Sequence, residues 1–139
     1  MAPVIKWKDG SGNWILCDTP EKSRLMHLDR IRKRHEALVK EGFMCTQGWR
    51  MNIGTEHATL LDGGIRFAEQ MGQVAITVRD WHNQKHEGIS LEVARGILEE
   101  IVAEQMRLLY RKWDFQDQVK TAETWEVLQA LQAEYEGDW

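Results

Sequence analysis

The chain is poor in cysteine and proline, has no long apolar run, and carries none of the short motifs that usually announce an active site. Its cysteines, Cys17 and Cys45, are separated by 28 residues and lie in no CxxC pair. That spacing fits neither a disulfide framework nor a four-ligand zinc module, and two buried, reduced thiols are expected. No stretch approaches the ~18 consecutive apolar residues that a membrane span requires. The opening segment "MAPVIKWKDGSGNW" lacks the charged-then-apolar layout of a secretion signal, so a cytoplasmic protein is expected. There is no GxSxG elbow, no HExxH helix and no nucleotide loop, since no Lys-Ser/Thr follows Gly63-Gly64. Neither cysteine has a histidine placed beside it by motif. Glu99, Glu100, Glu104, Asp114 and Asp117 read more simply as a solvated face than as a paired acid and base. A non-enzymatic protein follows as the expectation, with no catalytic residue, no metal and no cofactor.

What is present describes one soluble α+β domain, residues 1–139: the chain is 42% hydrophobic and 29% charged, long enough to bury a core. The net charge of −4 is unevenly placed. Residues 1–50 hold ten Lys/Arg against six Asp/Glu, and residues 51–139 hold eight against sixteen. The basic excess sits mainly in "DRIRKRHEALVK", where Arg30, Arg32, Lys33 and Arg34 form a candidate nucleic-acid face. One helix presenting those side chains to solvent or to an acidic neighbour accounts for them more simply.

Periodicity and turn chemistry divide the chain into hairpins and three to four helices. "VIKWKDGSGNWILC" has a Gly/Ser/Asn centre between apolar arms and predicts an N-terminal hairpin over residues 1–18. A four-residue loop over residues 9–12 would set Trp7 opposite Trp14 and Ile5 opposite Leu16, a stabilising cross-strand aromatic pair. Thr19 as N-cap, Pro20 at the first helical position and Gly42 as stop bound the next helix, with Leu25, Leu28, Ile31, Leu38, Val39 and His35 on one stripe. Gln47-Gly48 predicts a second hairpin. Thr55 caps a helix to about Met71 with Ala58, Leu61, Ile65, Ala68 and Met71 inward; Gly63-Gly64 in its middle costs about 1 kcal/mol per glycine, so close approach of another helix or strand is expected there. "QVAITVRDW" alternates as a strand with Val74, Ile76 and Val78 on one face. From Ser90 a long helix runs to about Val119, either bending near Asp114 or projecting toward a partner, with Ala94, Ile97, Leu98, Ile101, Leu108, Leu109 and Trp113 inward. Thr121 or Thr124 then caps a closing helix striped by Trp125, Leu128 and Leu131. Tyr110, Trp113 and Phe115 are large aromatics of the kind that anchor interfaces, and are the candidate protein-binding residues.

The stretch "VRDWHNQKHEGIS" most resembles a site, with His82 and His86 four apart among Asp80, Trp81 and Glu87. Metal-binding HxxxH depends on a shared helical face, and here the two histidines flank a predicted turn at Asn83-Gln84. Pairing Trp81 with His86 would oppose Asp80 to Glu87, two like charges, which argues for a frayed end or another register. A solvated turn is expected, in which losing both histidines costs no more than ~0.5 kcal/mol.

From about residue 32, the order "EGF", "TEHATLLDGGIRFA", "VRDW", "ISLEVARGILEEIVAEQ" and "VKTAETWEVLQAL" resembles a domain of unknown function widespread in phage and prophage proteins. Those proteins usually come from the tail or tail-fibre region. The resemblance implies a setting and no site. It implies a tail or tail-fibre structural or assembly accessory in the cytoplasm of the bacterial host or on the virion tail. Its partners would be tail or tail-fibre proteins or further copies of itself, with no membrane. The alternative is a phage-encoded nucleic-acid-binding or regulatory protein using the basic helix.

Overall fold

The computed structural model describes residues 5–139. Their order is β1 (Ile5–Lys8), β2 (Trp14–Cys17), α1 (Pro20–Glu41), β3 (Phe43–Met44), β4 (Arg50–Met51), α2 (Thr55–Gln70), β5 (Ala75–Arg79), β6 (Lys85–Ser90), α3 (Leu91–Thr121) and α4 (Trp125–Tyr135). The fold is α+β, four helices with three separate two-stranded antiparallel sheets. Its contacts gather into two compact units, one comprising the residues up to Glu36 with Leu109–Trp139, the other Ala37–Leu108.

All three hairpins turn through one loop design. The first loop residue donates its N–H to the carbonyl four residues on and accepts at its own carbonyl from the residue three on. The pairs are Asp9–Asn13 (2.9 Å) with Gly12–Asp9 (3.1 Å), Cys45–Trp49 (2.9 Å) with Gly48–Cys45 (3.0 Å), and Asp80–Gln84 (3.0 Å) with Asn83–Asp80 (3.0 Å). The fourth loop residue is left-handed in each, with φ of 87° at Gly12, 83° at Gly48 and 62° at Asn83. Glycine and asparagine reach that region with least strain, which is why "DGSGN", "CTQGW" and "DWHNQ" turn alike.

This loop is one residue longer than the one expected for the first hairpin, and the register changes with it. Lys8 pairs with Trp14 and Trp7 with Ile15, so the two tryptophans lie on opposite faces. The cause is the Asp9 carboxylate, which accepts from the N–H groups of Ser11 and Asn13 at 2.9 Å each and draws Asn13 into the turn. Trp14 is 68% exposed beside Lys8, while the Trp7 indole donates to Asp29 at 3.3 Å.

In the first unit the core consists of Ile31, Phe115, Val119, Ala122, Leu128, Leu131 and Tyr135, with Leu28 and Trp139 packed against it. Thr124 caps α4 by accepting from the Val127 N–H, and Thr19 serves α1 in the same way through Lys22. The buried residues of α1 are Ser23, Met26, His27 and Ile31, whereas Leu25 is 52% exposed. The buried stripe is thus displaced from the expected one, because His27 finds a partner: its Nδ1 lies 2.6 Å from the Tyr135 hydroxyl. Burial lowers the pKa of His27 to about 4 and pushes the Tyr135 phenol up to about 12. His35, half-buried, stacks on Trp139.

In the second unit α2 lies against β5, burying Ile65 and Ala68. Gly54 takes the cap position before α2, with no side-chain cap, where Thr55 was expected to do so. Val74 falls just outside β5 and is 82% exposed, and a bulge separates Ile76 from Val78. Ser90 caps α3 by accepting from the Val93 N–H at 3.2 Å. Both cysteines are free and buried, as expected. Among the described residues no helix is long and apolar enough to cross a membrane.

Candidate functional site

The histidine-bearing turn proves to be a clasp. β5 and β6 pair Val78 with His86 and Arg79 with Lys85, so Asp80 does not face Glu87. Instead the Asp80 side chain folds back: Oδ1 accepts from the Gln84 N–H at 3.0 Å and Oδ2 from His86 Nε2 at 2.9 Å. The hydrogen bond from His86 holds the Asp80 carboxyl below its ordinary range, against the opposing effect of burial. The other face of the clasp comes from the second hairpin. Trp49 stacks on the His86 ring at 3.6 Å between centroids, with planes 16° apart. Trp81 donates its backbone N–H to the Arg50 carbonyl (2.7 Å) and its indole N–H to the Lys40 carbonyl (2.9 Å), and the Arg50 guanidinium covers the ring at 4.9 Å.

The reading of both histidines as solvated therefore holds for His82 and fails for His86. His82 is exposed, its ring against the edge of Trp81, whereas the His86 side chain is 20% exposed and bonded on one nitrogen. An Asp–His pair is half of what a nucleophile needs, yet no hydroxyl or thiol among the described residues is bonded to the second ring nitrogen. No group of three or more His, Cys, Asp or Glu side chains among the described residues is placed to hold a metal ion. Beside the clasp lies a cavity of about 360 Å³, with Met51, Leu61 and Val78 supplying apolar wall and Asn52, His57 and Arg79 polar rim. The Arg79 guanidinium is tied to Asn83, donating to its carbonyl (3.1 Å) and its side-chain oxygen (3.0 Å).

The aromatic candidates on α3 separate. Phe115 is fully buried in the first unit, against Tyr135 and Trp139, and is withdrawn as a surface contact. Tyr110 and Trp113 are 57% and 48% exposed and touch each other, ring centroids 5.8 Å apart. Trp113 was expected inward. A helix already turning Phe115 and Val119 to the core leaves position 113 on its far side.

The basic stretch of α1 is largely engaged within its own unit. Arg32 pairs with Asp29 (2.7 Å) and Glu36 (2.8 Å), Lys33 with Asp29 (3.0 Å), and Arg34 donates to the Gly137 carbonyl (3.2 Å). On α2 the expected close approach at Gly63-Gly64 is missing: a Cβ built on either glycine meets nothing within 4 Å. Leu60, Phe67 and Met71 stand exposed around them.

The sequence signal that finds the clasp is the loop grammar shared by "DGSGN" and "DWHNQ": an Asp four residues before the loop closes and Gly or Asn at the left-handed position. Nothing local announces Trp49 as the partner of His86. Comparisons with protein-family models, curated proteins and solved structures find no match for this chain.

Proposed function

We propose that this chain is a non-enzymatic phage or prophage protein, an accessory of tail or tail-fibre structure or assembly that acts by protein–protein contact, in the host cytoplasm during assembly or on the virion tail. The tail setting rests on the order of its segments. The contact role is supported by one observation above the others, the paired exposure of Tyr110 and Trp113 one helical turn apart on α3. Tryptophan and tyrosine are the residues most often found to carry interface energy, because their large rings exclude water while a polar edge stays available.

The test is genetic and structural. Deleting the gene from an inducible prophage should yield particles with missing or defective tails, restored by the wild-type chain and poorly by Trp113→Ala, although that substitution at an exposed position leaves the fold intact. Normal tails in the deletion would overturn the proposal. So would sub-micromolar nucleic-acid binding at physiological salt that disappears when Arg32 and Lys33 are neutralised.

A further inference from the structure

We infer that the cavity beside the clasp binds an organic acid: a carboxylate at Arg79, carried on an apolar body that lies against Leu60, Leu61 and Val78. The cavity, about 360 Å³, is lined wholly by residues of the second unit and falls within the size range of small-molecule sites. Its apolar wall includes Leu60, which is 68% exposed, whereas Leu61 is half-buried and Val78 buried. An apolar body seated there would take Leu60 out of water.

The polar side of the cavity is arranged to donate. Arg79 bonds the Asn83 carbonyl (3.1 Å) and side-chain oxygen (3.0 Å) through Nη1 alone, so Nε and Nη2 keep their hydrogens for a ligand, in the planar fork that fits a carboxylate. Asp80, the acid on the wall, already accepts from the Gln84 N–H and from His86 on its two oxygens. Asn52, His57 and Thr77 line the same cavity, and their side chains hold no hydrogen bond among the described residues, which leaves three more groups able to donate. No second Arg or Lys lines it, so one guanidinium above a mostly apolar wall suits a monoanion better than a phosphate. A separate observation singles out the Arg79 edge. The three hairpin loops share one design with a left-handed fourth residue; Gly12 and Gly48 supply it in the first two, and beside the cavity Asn83 does so at φ 62°. Glycine adopts that conformation with less strain, so the turn by itself gives no reason for a side chain. The Asn83 side chain spends its oxygen on Arg79. Asn83 is thus a positioning residue, holding the guanidinium at the rim before a ligand arrives and lowering the ordering cost of binding. The inference does not depend on the assembly role.

Amide NMR of the full chain, titrated with octanoate, tests it. Saturable shifts should centre on Asn52, His57, Thr77 and Arg79, with a Kd of about 1 mM or tighter. Octanol, the same body without the charge, should bind at least about tenfold more weakly. Arg79→Gln should weaken octanoate by at least about tenfold and leave octanol unchanged. Asn83→Gly should melt as the parent does, because glycine suits the turn, and still weaken octanoate about threefold or more. A short peptide ending in leucine, with its C-terminus free or amidated, distinguishes the source of the acid. Tighter binding of the free-terminus peptide than of octanoate indicates a partner's chain end, the reverse order a free organic acid, and both support the carboxylate site. No saturable shift with either acid overturns the inference. Octanol or the amidated peptide binding as tightly as the acids does so as well, and so does octanoate binding untouched by Arg79→Gln.

Discussion

Gly42 ends α1 at φ +69°, where a Cβ would collide with the Met51 carbonyl oxygen and lie 3.0 Å from the Trp81 ring. Both the left-handed backbone and the crowding oppose a side chain, so Gly42→Ala should cost about 2 kcal/mol or more in urea denaturation. Gly64→Ala on the open face of α2 should instead stabilise by about 0.5–1 kcal/mol. A loss at both positions would show that helix propensity is outweighed at Gly64 by a contact within the chain. His27 makes the second residue-level case. Its pKa falls from 6.5 to about 4 on folding, through burial first and the nearby Arg30 second. Between those values the unfolded chain binds the proton that the folded one refuses, so stability is fully present above about pH 6.5 and declines as pH falls toward 4. The decline attributable to this group is at most about 3 kcal/mol. His27→Gln should flatten that part of the pH–stability curve; an unchanged slope would remove His27 as its source.

At the scale of elements, the three hairpins make loop chemistry, rather than strand length, the source of register. β3 and β4 have only two residues each, yet pair as firmly defined a turn as the longer β5–β6. The clasp between the second and third hairpins gives a prediction that separates its histidines. His82→Ala should change stability by no more than about 0.5 kcal/mol, as at other exposed positions. His86→Ala leaves the Asp80 carboxylate without its charged-group hydrogen bond and Trp49 without its stacking partner, and should cost about 1–3 kcal/mol. His86→Phe, which keeps the stack and loses the hydrogen bond, should fall between them. Equal effects of the two alanine substitutions would mean that the pair contributes nothing in solution.

At the scale of the whole chain, charge is the property that a partner meets first. The net charge is −4, and the basic side chains that break the acidic trend are largely spent on Asp29, Glu36 and the Gly137 carbonyl. Phosphate binding would require those cations to leave their partners before releasing counterions, which removes much of the gain. The chain should therefore show no retention on duplex DNA or on RNA at physiological salt, measured by fluorescence anisotropy. Steep salt-dependent binding lost with Arg32→Gln and Lys33→Gln would assign it to the nucleic-acid-binding class instead.

Element order, most caps and the stops were legible in the sequence, because they are decided within a few residues; the cap of α2, at Gly54 and not Thr55, is the exception. Thr19, Ser90 and Thr124 sit where a side-chain oxygen reaches an unpaired N–H, and Gly42 and Gly72 where the backbone turns left-handed. The turns at Gly12, Gly48 and Asn83 belong to the same local chemistry. Which side of each element is buried was only partly legible. Hydrophobic period places Leu25 inside and counts His27 as polar, yet a hydroxyl 108 residues away makes His27 the core residue and leaves Leu25 in water. The same holds for Trp49 against His86 and for Phe115 among α4 side chains. Such pairs exist only after the chain has closed on itself, and a hydrogen bond or a stacked ring formed then outweighs the local preference of a single side chain. The tertiary structure alone also decided that Gly63 and Gly64 face outward, since an intrinsic helix cost signals the need for a close neighbour without saying whether that neighbour lies in the same molecule.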